Sequence, residues 1–214
     1  MPSEGYAPPM LLVAVAWACD DDVLARIPPP AVVTAAPIVD QGAVTGADGV
    51  KLAGARVTFR SAHPLAAWAP VLDRPEDQDT WHPASIGTRR IERLDAETIF
   101  QQLDIRALWG AIRVRRQVVV VVRWLERSDR ALRNCWTAVD PAPFAAQIAP
   151  WVDDAPFQLH GQGGWDLHPL PDGGTSVSYT LWADTGAMPA PVQSWAMSRT
   201  LPDLMAAFEA YVGR

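Results

Sequence analysis

Gly163-Gly164-Trp165-Asp166-Leu167-His168-Pro169-Leu170, then Pro171-Asp172-Gly173-Gly174, then Thr175-Ser176-Val177-Ser178-Tyr179-Thr180-Leu181-Trp182, is the stretch that decides the fold. The Pro-Asp-Gly-Gly tetrad combines a fixed φ, a turn-closing side chain and two glycines free to take positive φ. The runs on either side therefore return on each other as a hairpin. In the second arm Val177, Tyr179 and Leu181 share one face, and Ser176, Ser178, Thr180 and Trp182 the other. Asp184-Thr185-Gly186-Ala187-Met188-Pro189 leads out of the strand into a C-terminal helix. Its apolar residues Leu201, Leu204, Met205, Phe208, Tyr211 and Val212 recur at helical spacing. Val192, Trp195 and Ala196 extend the stripe upstream, so the helix is expected from about Pro191, with a kink near Pro202. Thr200 and Asp203 stand at capping-box spacing.

Upstream, Ala55–Arg60 reads as a strand, and His63-Pro64 opens a helix through Leu65, Trp68 and Leu72. Asp73–Asp79 is a polar loop leading to Trp81-His82-Pro83. Ile86–Leu94 and Thr98–Ile105 are strands joined by Asp95-Ala96-Glu97. Gln117–Glu126 holds five consecutive valines, Val118–Val122, as expected of a strand covered on both faces or facing a cavity on one. Ala131–Val139 returns after Arg127-Ser128-Asp129-Arg130. Residues 141–156 form a Pro-containing connection with a short helical pattern at Phe144–Trp151, and Phe157–His160 reads as a further strand. Strands segregated from helices indicate an α+β domain. The fold expected is a curved antiparallel β-sheet wrapped around the long C-terminal α-helix, a helix-grip arrangement able to enclose an apolar cavity.

The chain has 214 residues, enough to bury a substantial core in one domain. A net charge of -6 argues against nucleic acid as a partner. Lys51 is the sole lysine against many arginines, which reads as compositional bias. Ten tryptophans are the informative excess: each alone is an ordinary aromatic, but together they can line a roomy cavity. Cys19 and Cys135 are too few for a disulfide framework or a metal site, and Cys135 reads as a buried small hydrophobe.

Near the N-terminus an apolar run, Met10–Ala18, ends at Cys19. Ala16-Trp17-Ala18-Cys19 resembles the lipobox of bacterial lipoproteins, in which the cysteine is lipidated. Asp20-Asp21-Asp22 and Pro28-Pro29-Pro30 suit a tether. No Lys or Arg precedes the run, Ala16 stands where leucine is preferred, and the run is too short to span a bilayer. The expected organisation is a lipoprotein signal segment over 1–19, a Pro/Gly-rich linker over 20–49 and one domain over 50–214. The expected location is the cell envelope, anchored at Cys19; the alternative is cytoplasmic.

The motifs over Val50–Val212 resemble the START lipid-transfer family of the helix-grip superfamily, as a bacterial member. Ala66–Leu72 with Trp81-His82-Pro83 is similar to its early helix and Trp-x-Pro segment, and Arg116-Gln117-Val118-Val119 to its Arg-Asp strand start. Gly164-Trp165 through Pro169, with Asp172-Gly173-Gly174-Thr175, is similar to its penultimate hairpin. Asp184 through Met188-Pro189 is similar to its Asp-x-Gly-x-x-Pro helix entry. Gln117 stands where the family has Asp, and Pro141–Pro156 has no family likeness. The resemblance implies an internal lipid site, with an arginine and an acidic residue meeting the polar head; Arg123 and Asp104 are the nearest candidates. It also implies a gate at Leu108–Arg115 and the terminal helix, with Trp109 and Arg113 as gate residues.

Catalytic signatures are missing: there is no Gly-x-Ser-x-Gly elbow, phosphate loop or dinucleotide fingerprint. His63, His82, His160 and His168 lack zinc-like spacing. His82 and His168 read as structural unless burial in a cleft perturbs their titration. Arg113, Arg115 and Arg116 form a basic cluster, either a solvated loop or a contact for anionic head groups. The leading expectation is a binding protein and not an enzyme, without metal or cofactor. It would bind, and possibly transfer, a phospholipid, sterol or fatty-acyl-like ligand. The expected ligand-binding residues are Trp68, Phe100, Asp104, Val120, Val122, Arg123, Trp124, Trp136, Tyr179, Leu181, Trp195, Met205 and Phe208. Expected partners are the lipid and a membrane surface, met transiently or through the anchor; no nucleic acid is expected, and the state is monomeric. The first rival is a helix-grip enzyme, such as a polyketide cyclase or a hydrolase of hydrophobic substrates, betrayed by titratable groups converging in the cavity. The second is a scaffold whose cavity is lost.

Overall fold

The computed structural model describes residues 24–45, 50–93, 97–107, 112–184 and 190–214. Among these, eight strands form one antiparallel sheet: β1 (Ile38–Thr45), β2 (Lys51–Ser61), β3 (Ser85–Arg93), β4 (Glu97–Ala107), β5 (Ile112–Arg127), β6 (Leu132–Val139), β7 (Gly161–Pro169) and β8 (Thr175–Ala183). Their spatial order is β1-β2-β8-β7-β6-β5-β4-β3, an open sheet with β1 and β3 at its edges. Helix α1 (Leu65–Leu72) and the short α2 (Gln78–Trp81) carry the chain from β2 across to β3. A four-residue α3 (Ala145–Ile148) lies between β6 and β7, and α4 (Ala190–Val212) ends the chain. No helix among the described residues is long and apolar enough to cross a membrane.

The hairpin forms as its turn chemistry requires, with Gly173 at φ +87° and Pro169 opposite Thr175. Val177, Tyr179 and Leu181 face inward, toward α4. There Val57, Phe59, Leu167 and Val177 meet Leu201, Leu204, Met205 and Phe208 in one apolar core. Pro202 lies within α4, and Thr200 donates its hydroxyl to Ala196 O at 3.0 Å. Thr200 therefore bonds backward in mid-helix and is not a cap.

Three expected boundaries need correction. The linker over 20–49 contains β1, which pairs with β2 along its whole length. Leu24 and Ile27 are buried, and Arg56 Nη1 donates to their carbonyl oxygens at 2.8 and 3.0 Å. A buried guanidinium bonded to that backbone fixes the segment against the convex face. The arginine cluster expected in a loop lies in β5, where Arg113 pairs with Asp104, and Arg115 with Asp153 and Asp154. Phe157–His160 contributes no ladder, only an isolated bridge between Phe157 and Gln117.

Gln117 explains that bridge. Its side chain donates to Asp153 O at 3.2 Å and Ala155 O at 2.5 Å, and accepts from Asp153 N at 3.1 Å. A neutral amide offers both donor and acceptor, so it pins the connection before β7 onto β5.

Candidate functional site

The concave face and α4 do not close fully on each other. Between them lies a cavity of about 450 Å³, within the roughly 300–1,000 Å³ of ligand pockets. Its long wall comes from the valine run. Val118, Val120 and Val122 alternate inward along β5, while Val119 turns outward onto Phe100 and Ile148. The roof is the apolar stripe of α4, including Ala196, Met197, Leu204 and Phe208. Trp81, from α2, closes one end and stacks on Phe208 at 4.1 Å.

The floor is set by glycines on β7. A Cβ at Gly163 would come 2.8 Å from Trp136 Cζ2 and 2.3 Å from Thr180 O, and one at Gly161 would lie 3.6 Å from Trp136 Cζ3. The indole of Trp136 thus occupies the space that side chains of β7 would otherwise take. It lies near the Tyr179 hydroxyl, and both border the cavity. Asn134, two residues before Trp136 on the same face, is 4% exposed and accepts from Trp165 N at 3.2 Å.

Burial governs the charge of the interior. It pushes the Tyr179 hydroxyl up to about 12, against the opposing bond from Trp136. It pushes His82 down to about 4, so the imidazole is neutral at pH 7. His82 Nδ1 accepts from Ala84 N at 3.1 Å, which assigns the ring proton to Nε2. His82 therefore meets the condition of a perturbed histidine in a cleft. His168 does not line the cavity; it pairs with Asp166 at 2.7 Å, and Asp166 also meets Arg56 and Arg133. No Lys or Arg lines the cavity among the described residues.

Seven of the expected ligand residues border the cavity together: Asp104, Val120, Val122, Trp136, Tyr179, Leu181 and Phe208. Asp104 is 7% exposed, with its carboxylate held by Arg113 Nε at 2.7 Å and Nη2 at 3.0 Å. Arg113 thus acts here as the partner of Asp104.

The other expected residues are placed elsewhere. Phe100 pairs with Val119 and packs under α3 on the opposite face. Arg123 pairs with Cys135 on that face and is exposed, so it does not reach the interior. Trp68 is fully buried, edge-on to Phe208 at 5.2 Å, and Met205 is 1% exposed; both are packed core beside the cavity. Trp124 packs half-buried against the same core beneath Arg127. Trp195 is 40% exposed on α4. Trp109 and Cys19 lie outside the described residues. Cys135 is fully buried but is disulfide-bonded, not the free small hydrophobe expected. Asn134 and His82 border the cavity and were not among the expected binding residues. Period two counted back from Trp136 finds Asn134.

No family model and no curated protein matches the sequence. Solved structures do. A STAR-related lipid transfer protein from Xanthomonas axonopodis aligns at a TM-score of 0.62 and 18% identity, over 81% of this chain and 99% of that one. Human StAR-related lipid transfer protein 5 aligns at 0.61 and 17%, over 82% of each chain. The fold is the START-type helix-grip fold. It is also shared by the Zhui aromatase/cyclase from Streptomyces sp. R1128, at a TM-score of 0.52 and 13% identity, over 76% of this chain and 94% of that one. That neighbour overturns the expectation that the protein is not an enzyme: structures of this fold include an aromatase/cyclase as well as lipid transfer proteins. The lining here, with both His82 and Tyr179, holds titratable groups of the kind the enzymatic rival requires.

Proposed function

We propose that this protein binds a hydrophobic ligand, phospholipid-, sterol- or fatty-acyl-like, in the cavity beneath α4 and transfers it between membranes. The observation that carries the reading is the largely apolar space of about 450 Å³ between the valine run and the apolar stripe of α4. Removing apolar ligand surface from water contributes about 2.5 kcal/mol per 100 Å². The fold shared with lipid transfer proteins supports the same reading. Native mass spectrometry of protein purified from cells tests it. A co-purified lipid is expected, displaced by excess of a competing lipid. A bare mass in both extract and reconstitution defeats the reading.

A second reading, catalysis on a hydrophobic substrate as in a polyketide cyclase, is favoured by one observation: neutral His82 lies in the lining with Tyr179. Its test is turnover of an enolisable polycyclic ketone, with loss on His82→Gln.

Anchoring at Cys19 is a separate proposal, supported by the Ala16-Trp17-Ala18-Cys19 motif alone. The sequence holds two cysteines, and Cys135 is disulfide-bonded. A sulfur linked to lipid is not available for a disulfide, so lipidation at Cys19 would exclude any disulfide there. Intact mass with and without reductant decides between them: an acylated species supports the anchor, and a gain of two hydrogens on reduction removes it.

A further inference from the structure

We infer that the cavity selects an uncharged ligand, one whose hydroxyl or carbonyl oxygen is received by Tyr179 and Asn134 on the cavity floor; this deepens the binding reading above and rests on it. The geometry starts with Asn134. The side chain is 4% exposed and borders the cavity. Its oxygen is taken by the Trp165 N–H at 3.2 Å. Among the described residues its amide nitrogen donates to no partner, although a buried donor left unmade is costly. Tyr179 lies in the same cross-strand row, with Trp165 between it and Asn134. Its hydroxyl borders the cavity and is kept protonated by burial, and no acceptor for its proton occurs among the described residues. The Asn134 amide and the Tyr179 hydroxyl therefore remain as donors in a lining that also holds Gln78, His82, Gln101, Gln158 and Gln193. Each can donate to an oxygen of a bound ligand.

The same floor lacks the means to hold an ionic head. No cation borders the cavity among the described residues. Asp104 already spends both carboxylate oxygens on Arg113, and Asp203 is exposed on α4. A buried charge without a partner is strongly disfavoured. The protein's own groups report this: desolvation holds Tyr179 from becoming an anion and His82 from becoming a cation.

The test uses three chain-matched probes on delipidated full-length protein at pH 8: an 18-carbon alcohol, the corresponding carboxylate and the corresponding hydrocarbon. The alcohol is expected to bind tightest and the carboxylate at least tenfold more weakly. Tyr179→Phe, which keeps the ring, is expected to weaken the alcohol by about 3- to 10-fold, the value of one hydrogen bond, and to leave the hydrocarbon unchanged. A carboxylate that binds as well as the alcohol overturns the inference while leaving hydrophobic binding intact, as does a Tyr179→Phe protein that binds the alcohol as before. If none of the three binds, the binding reading fails and this inference with it.

Discussion

Replacing Val120 by phenylalanine asks directly whether the interior beneath α4 is space or substance. Val120 is 7% exposed, borders the cavity and pairs with Ile99 on one side and Ala138 on the other. Phenylalanine suits a strand as well as valine does, so the backbone is not at issue. The side chain gains four carbon atoms. If they enter void, each contributes about 0.8 kcal/mol, giving up to about 3 kcal/mol of added stability. If they enter a filled core, off-rotamer packing costs about 1–3 kcal/mol. The sign of the change therefore decides the matter. In a domain of this size 1 kcal/mol moves Tm by about 2–4 °C, so the two outcomes lie several degrees apart in opposite directions. The assay is urea unfolding of delipidated protein, read as a midpoint shift at constant m. A higher midpoint together with loss of ligand capacity is expected. A lower midpoint at unchanged m means that the space is packed, and the functional argument falls with it.

Gln117→Met keeps length but removes three bonds to Asp153 and Ala155; an equilibrium unfolding loss of about 3 kcal/mol is expected, at about 1 kcal/mol for each. Gln117→Glu is expected to be worse than Met at neutral pH, because its carboxylate faces two carbonyl oxygens, and to recover as acid protonates it. His82 gives a pH dependence of known sign. Its folded pKa, about 4, lies below the unfolded 6.5, so the unfolded state binds the proton first as pH falls. The contribution of neutral His82 is whole above pH 6.5 and is lost between 6.5 and about 4, by an amount on the order of 3 kcal/mol. His82→Gln is expected to flatten that part of the stability profile, and an unaltered slope would remove His82 as its source.

What could be read from sequence was what local chemistry decides. The Pro-Asp-Gly-Gly turn, the inward set Val177, Tyr179 and Leu181, and the stripe of α4 each follow from a period or a turn. The errors have non-local causes. Phe100 and Val120 were expected to share the cavity, yet Phe100 pairs with Val119, and Ile99 is the residue opposite Val120. A register one residue away reverses the face. Val122, Arg123 and Trp124 were likewise taken together, although three consecutive strand residues cannot all point inward. β1 carries no clean alternation in Ile38–Thr45, and what holds it is distant: Gly42 and Gly54 leave room for the ring of Trp182. Asn134 is a lone polar residue in an apolar strand, and only the row it shares with Trp165 and Tyr179 gives it a role.

The cavity itself follows from side chains that are absent as much as from those present. On the convex face a Cβ at Gly54 would meet the Trp182 ring at 2.1 Å, so that tryptophan lies on the backbone and seals the N-terminal segment down. On the concave face Gly161 and Gly163 seat Trp136 in the same manner, and from β7 Trp165 alone enters the lining. The roof above has Ala196 on its inner stripe, a small residue. Glycines below and alanine above leave a gap that the surrounding valines are too short to fill. Trp136 and Tyr179 then border that gap together. Gly163→Ala, which forces a contact with Thr180 O at 2.3 Å, is expected to disturb the floor around Trp136 before it disturbs the apolar walls.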